Sequence, residues 1–161
     1  MANRNRNAGL SWERTVYQTL NQRTIKSIGK EITNKELRDL DDSLFVLFPK
    51  LGSTRELSRA LDARKVDITT MTPERIREFP YNIQAKTLST STAPYPKLLA
   101  ESRAANINGT PVVFHQQTKK VGTRFMVQDE FALLYLNDFI DMMFRIAELE
   151  FELKQKEHFE K

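Results

Sequence analysis

Polar and apolar residues alternate over YNIQAKT, residues 81 to 87. Tyr81, Ile83 and Ala85 fall on one face of an extended chain, and Asn82, Gln84 and Lys86 on the other. The pattern predicts a β-strand that carries a glutamine and a lysine side by side. Three more segments read as strands: the apolar run LFVLFP at 44–49, ended by proline; the β-branched RKVDITTM at 64–71; and TPVVFHQQTKK at 110–120. Val121-Gly122-Thr123 marks a turn, and RFMV at 124–127 a further short strand.

Helical spacing appears elsewhere. Leu10, Val16, Tyr17 and Leu20 give LSWERTVYQTLNQ, 10–22, an apolar stripe, with Ser11 as a cap. Residues 24–43 are ambiguous apart from a short helix at NKELRDLDD. TRELSRALDA, 54–63, reads as a short helix or irregular turn. TPERIREF follows with Thr72 as cap and Pro73 at the first helical position. KLLAESRAANI, 97–107, is a helix stopped by Asn108-Gly109. From Gln128 to Lys161 the chain has no glycine or proline and reads as one long helix. Residues 1–8 read as a flexible basic arm, and the STSTAPYP stretch at 89–96 as a loop. The order predicts an α/β fold with a mixed central sheet flanked by helices and a long C-terminal helix.

A chain of 161 residues is long enough for one domain with a real core. There is no cysteine, which removes disulfides, thiolate metal sites and cysteine nucleophiles. With only His115 and His158, far apart, a zinc site is not expected; His115 reads as a structural histidine. No apolar run approaches the roughly 20 residues a membrane span needs. The N-terminus lacks the apolar core of a secretory signal, so a cytoplasmic setting is expected.

Net charge is only +4, but it is unevenly placed. Residues 1–30 carry Arg4, Arg6, Arg14, Arg23, Lys26 and Lys30 against one acid, Glu13. A second cluster holds Lys50, Arg55, Arg59, Arg64 and Lys65. Basic surface of this kind suits a polyanion, and suits an ordinary solvated surface as well.

Candidate chemistry lies where acids meet the strand pair. Asp67 stands on the strand before YNIQAKT, and a hairpin around 72–80 lets it approach Gln84. Glu13 lies on the first helix. The carboxylates of Glu13 and Asp67, the Gln84 amide oxygen and the Ala85 carbonyl are oxygens of the type a Mg²⁺ ion takes while keeping several waters. Lys86 then stands where it can orient a metal-bound water or stabilise charge on a scissile phosphate.

A helix glutamate, then an aspartate, then Gln84-Ala85-Lys86 on the next strand resembles the PD-(D/E)xK nuclease superfamily. Within it the chain is most similar to Holliday-junction resolvases of the phage and archaeal type, over roughly residues 8–136. The resemblance implies a restriction-endonuclease-like fold with a nuclease domain over 9–136. It implies a Mg²⁺-dependent endodeoxyribonuclease, with Mn²⁺ able to substitute and no organic cofactor, working in a bacterial, archaeal or phage-infected cytoplasm. Catalytic residues would be Glu13, Asp67, Gln84 and Lys86, and metal ligands Glu13, Asp67, Gln84 and Ala85. Gln84 departs from the more frequent glutamate and removes one negative charge from the site. Branched DNA is the implied partner, contacted by Arg4, Arg6, Arg14, Lys50, Arg59, Arg64, Lys65 and Thr87, and by a loop of Ser53, Thr54 and Arg55 beside the phosphate. The apolar stripe of 137–161 is expected to be an oligomerisation element, giving a homodimer with two sites for paired cuts. Two other readings stay open: a restriction-like or repair nuclease acting on duplex, nicks or flaps, and a non-catalytic DNA-binding scaffold.

Overall fold

The computed structural model describes residues 2–89, 94–106 and 108–160, with the side chains of 2–6 excepted. The side chains of Arg4 and Arg6, and the loop hydroxyls of Thr90, Ser91 and Thr92, therefore lie outside the described residues. Five strands form one mixed sheet in the order β1-β2-β3-β4-β5. They are β1 (Leu51–Ser53), β2 (Ile68–Thr70), β3 (Tyr81–Leu88), β4 (Thr110–Val121) and β5 (Arg124–Leu133). Only the β3–β4 pair is parallel; the others are antiparallel. The parallel pair needs a crossover, and helix α5 (Tyr95–Ala105) supplies it.

The alternation of β3 divides its residues between two layers. Ile83 and Ala85 pack with Trp12 and Val16 of helix α1 (Ala2–Lys26), together with Leu51, Ile68, Phe79 and Val112. Trp12 adds a hydrogen bond from its indole N–H to the Phe114 carbonyl at 2.9 Å. On the opposite layer, Leu98 and Leu99 of α5 pack on Val113. Asn82 donates there to the carbonyls of Ser102 and Asn106, at 2.9 and 2.8 Å. Gly109 makes room for that amide, because a Cβ would stand 2.5 Å from Asn82 Oδ1.

The ambiguous stretch 24–43 forms a small satellite core. Thr33 and Glu36 make a reciprocal capping box that starts helix α2 (Asn34–Asp39). Leu37 of α2 then packs with Ile25 and Phe45. Helices α3 (Thr54–Leu57) and α4 (Arg59–Ala63) follow β1, as the short-helix reading of 54–63 expects. Pro73 opens a 3₁₀ turn, but the Thr72 side chain does not cap it.

Four sequence expectations are corrected. Residues 2–8 are not an arm but the start of α1, with no proline to stop the helix, and Ser11 lies inside it rather than capping it. The run at 44–49 is not a strand: Asp41 caps a 3₁₀ turn over Asp42–Leu44, and beyond it Phe45 is buried while Val46 and Leu47 are each 65% exposed. Pro49 cannot donate to a ladder, so pairing begins only at Leu51. The long helix does not begin at Gln128. Gly122, at φ 63°, closes a tight turn, and the second strand zips along β4 as far as Leu133. Helix α6 then runs over Leu136–Phe159.

Helix α6 has no buried residue among those described. Near its start, Arg103 pairs with Asp138 at 3.3 Å and lies 4.0 Å from the centre of the Tyr135 ring. No described helix is long and apolar enough to cross a membrane.

Candidate active site

Asp67 is the last residue before β2, and two backbone positions of β3 hold it. Its N–H donates to the Ile83 carbonyl at 2.8 Å, and its Oδ2 accepts from the Ala85 N–H at 2.8 Å. These bonds flank Gln84, so the expected approach of the two segments is present. Ala85 holds Asp67 through its N–H, not through the carbonyl expected as a metal ligand, and its side chain belongs to the core.

Glu13 comes from α1, one residue after core Trp12, and is only 3% exposed. Arg55 on α3 donates to its Oε1 at 3.1 Å, while Oε2 is buried without a donor. Burial raises the Glu13 pKa, the Asp67 charge raises it further, and Arg55 opposes both. Burial also raises the Asp67 pKa, against the Ala85 N–H and the positive charge of Lys86. The four side chains thus share one electrostatic neighbourhood. Two carboxylates share a low-dielectric site there, which disfavours having both ionised without a cation.

Gln84 is fully buried. Its amide nitrogen donates to Glu101 Oε2 of α5 at 3.3 Å, and its Oε1 has no donor. Four buried side-chain polar atoms among the described residues lack a partner: Glu13 Oε2, Gln84 Oε1, Ser102 Oγ and His115 Nε2. Two of them are acceptor oxygens on expected metal ligands. Buried acceptors without donors cost about 1–3 kcal/mol each, and a hard cation is one partner that removes that cost. Among the described residues no group of three or more acidic, histidine or cysteine side chains is placed to hold a metal ion, so the expected ligands would supply two carboxylates and a neutral amide. That set fits a Mg²⁺-like ion which retains water.

The residues expected on DNA divide. Arg14, Arg59, Arg64 and Lys65 are exposed, and Arg64 reaches the Ala105 carbonyl at 3.3 Å. Arg55 is 41% exposed along its side chain, with a second, looser pairing to Asp62 at 4.0 Å. Ser53 caps α3 by accepting from the Arg55 N–H. Thr87 is half-buried, 3.5 Å from the Gln116 amide oxygen. Two residues are removed from this surface. Lys50 is buried and donates to the carbonyls of Arg38 and Leu40 at 2.6 and 2.9 Å, closing the end of α2. Thr54 is fully buried and donates to the Val66 carbonyl at 2.6 Å.

Sequence reasoning missed Glu101. Its only signal was position: Leu98, Leu99, Ser102 and Ala105 are buried on α5, and Glu101 borders that face half-buried. His115 is buried, with Nδ1 2.6 Å from the Tyr95 hydroxyl and its ring near Phe131, but its Nε2 has no partner, so it is not the fully satisfied histidine expected. Compared with protein-family models, with curated proteins and with solved structures, the chain matches none.

Proposed function

We propose that the protein is a metal-dependent, structure-selective DNA endonuclease with a restriction-endonuclease-like fold, and that four-way junctions are its substrate. The observation that carries this reading is the donorless, buried Glu13 Oε2 within the field of Asp67, with a second donorless oxygen on Gln84, whose chain neighbours Ile83 and Ala85 both bond Asp67. The architecture is compatible with it at the coarse level: a mixed five-stranded sheet flanked by helices, with a crossover helix between the two parallel strands.

Glu13, Asp67 and Gln84 would hold Mg²⁺. When bound, the ion supplies Lewis acidity towards a phosphoryl oxygen and acidifies bound water. Lys86 orients the attacking water and offsets charge on the phosphate. Arg55, half-exposed beside Glu13, is placed to turn from carboxylate to phosphate. Water adds at phosphorus, one P–O ester bond breaks, and the departing oxygen takes a proton. Exposed Arg14, Arg59, Arg64 and Lys65 hold the backbone, which makes affinity fall with salt.

A homodimer belongs to this reading. The chain exposes 11661 Å², where a compact monomer of 18.7 kDa exposes about 8,300 Å². The excess is larger than the roughly 800 Å² each partner contributes to a standard interface. Exposed Phe139, Met143, Ile146, Leu149 and Leu153, at helical spacing on α6, form an apolar stripe for a second copy.

The test is a labelled synthetic junction incubated with Mg²⁺ or Mn²⁺, comparing wild type with Asp67→Ala and Lys86→Ala. Paired cuts lost in both variants, with binding retained, uphold the reading. Equal cutting of linear duplex keeps the nuclease and removes the junction preference. A neutral amide in place of a third carboxylate favours one other reading, binding without cleavage, and junction binding without cutting under either metal would establish it.

A further inference from the structure

Gln84 is an amide in a place where its two ends are not equivalent. A carboxylate only accepts hydrogen bonds, so Glu101 Oε2, at 3.3 Å, takes the amide nitrogen and fixes which end is which. The oxygen end is then the only atom of the Gln84 side chain that can ligate a cation. It is fully buried and has no donor. A negative charge behind the N–H also polarises the amide, which strengthens its oxygen as a ligand for a cation. A glutamate at 84 would instead set two carboxylates in contact, and one would have to keep its proton.

We propose that Glu101 is a positioning residue for the metal site. It holds the Gln84 amide from α5 so that Oε1 serves as a ligand. This rests on the cation reading of Glu13, Asp67 and Gln84.

The test measures Mn²⁺ binding by titration calorimetry on the full chain without DNA. The proteins are wild type, Asp67→Ala, Glu101→Gln, Gln84→Glu and the double variant Gln84→Glu/Glu101→Gln. Glu101→Gln is expected to weaken Mn²⁺ binding about 10–100-fold, as loss of an outer hydrogen-bond partner does at metal sites. Gln84→Glu alone binds Mn²⁺ with affinity that drops as pH falls, because the ion competes with a shared proton. The double variant restores binding to wild-type level or better, with the amide and the carboxylate exchanged between β3 and α5. If Glu101→Gln does not fold, Glu101→Ala with Gln84 kept is read instead: binding weakened about 10–100-fold supports the role, and binding within about twofold of wild type overturns it. Glu101→Gln binding within about twofold of wild type, while Asp67→Ala does not bind, removes the role of Glu101 and leaves the metal site standing. Absence of Mn²⁺ binding by wild type removes both.

Discussion

Replacing Arg55 with alanine takes from Glu13 its hydrogen-bonded cationic partner, and Glu13 stays buried beside Asp67. Breaking a fully buried pair costs about 3–5 kcal/mol, and exposed pairs are worth about 0.2–1 kcal/mol. Arg55 is 41% exposed, so solvent screens it and the cost falls between these limits, at about 1–2 kcal/mol. For a chain of 161 residues that lowers the melting temperature of the metal-free protein by about 2–8 °C. The same change has opposite effects on the two ligands. Losing a positive charge beside the carboxylates strengthens Mg²⁺ binding, so Mg²⁺ raises the melting temperature of Arg55→Ala more than that of wild type. Losing a phosphate contact weakens DNA binding and reduces the salt slope by about 1. Thermal melts with and without Mg²⁺, and DNA titrations at several salt concentrations, read all three. An unchanged metal-free melt, together with an unchanged salt slope, would refute the placement of Arg55 between carboxylate and phosphate.

Lys50→Met should destabilise by about 2 kcal/mol, because two buried carbonyls lose a charged donor, yet leave the salt slope of DNA binding intact; a changed slope without a changed melt would restore Lys50 to the DNA surface. Asp67→Asn tests the raised carboxyl. A group with a raised folded pKa contributes stability below its unfolded value, 3.8, and loses it as pH rises through the folded value. Metal-free Asp67→Asn should therefore gain on wild type as pH rises from 3.8 towards neutral, and Mg²⁺ should reverse the order; parallel melting curves across that range would contradict it. Leu149→Glu with Ile146→Glu should turn a species of twice 18.7 kDa into one of 18.7 kDa in sedimentation equilibrium, and a wild type that sediments as a monomer would end the dimer reading.

The sequence made β3 legible because one of its faces is core and the other polar, so a period of two survives in the residues. Asp67 and Glu13 were legible by type and order. The burial of Glu13 is not legible: the apolar stripe reads as Leu10, Val16, Tyr17 and Leu20, although Glu13 stands at helical spacing from the last three. What failed was decided by tertiary partners. The segment from Gln128 to Leu133 has no residue that forbids a helix, and only the Gly122 turn and the waiting edge of β4 make it extended. Lys50 reads as a surface base until two orphan carbonyls of α2 claim it. Glu101 is invisible in sequence because the contact it makes spans the β3–α5 crossover.

The most direct measurement of whether Glu13, Asp67 and Gln84 form a cation site is anomalous diffraction from crystals soaked in Mn²⁺. The expected result is a peak in contact with the carboxylates of Glu13 and Asp67 and with Gln84 Oε1, with Arg55 turned away from Glu13. Arg55 still paired to Glu13 and no peak beside Asp67 would contradict it.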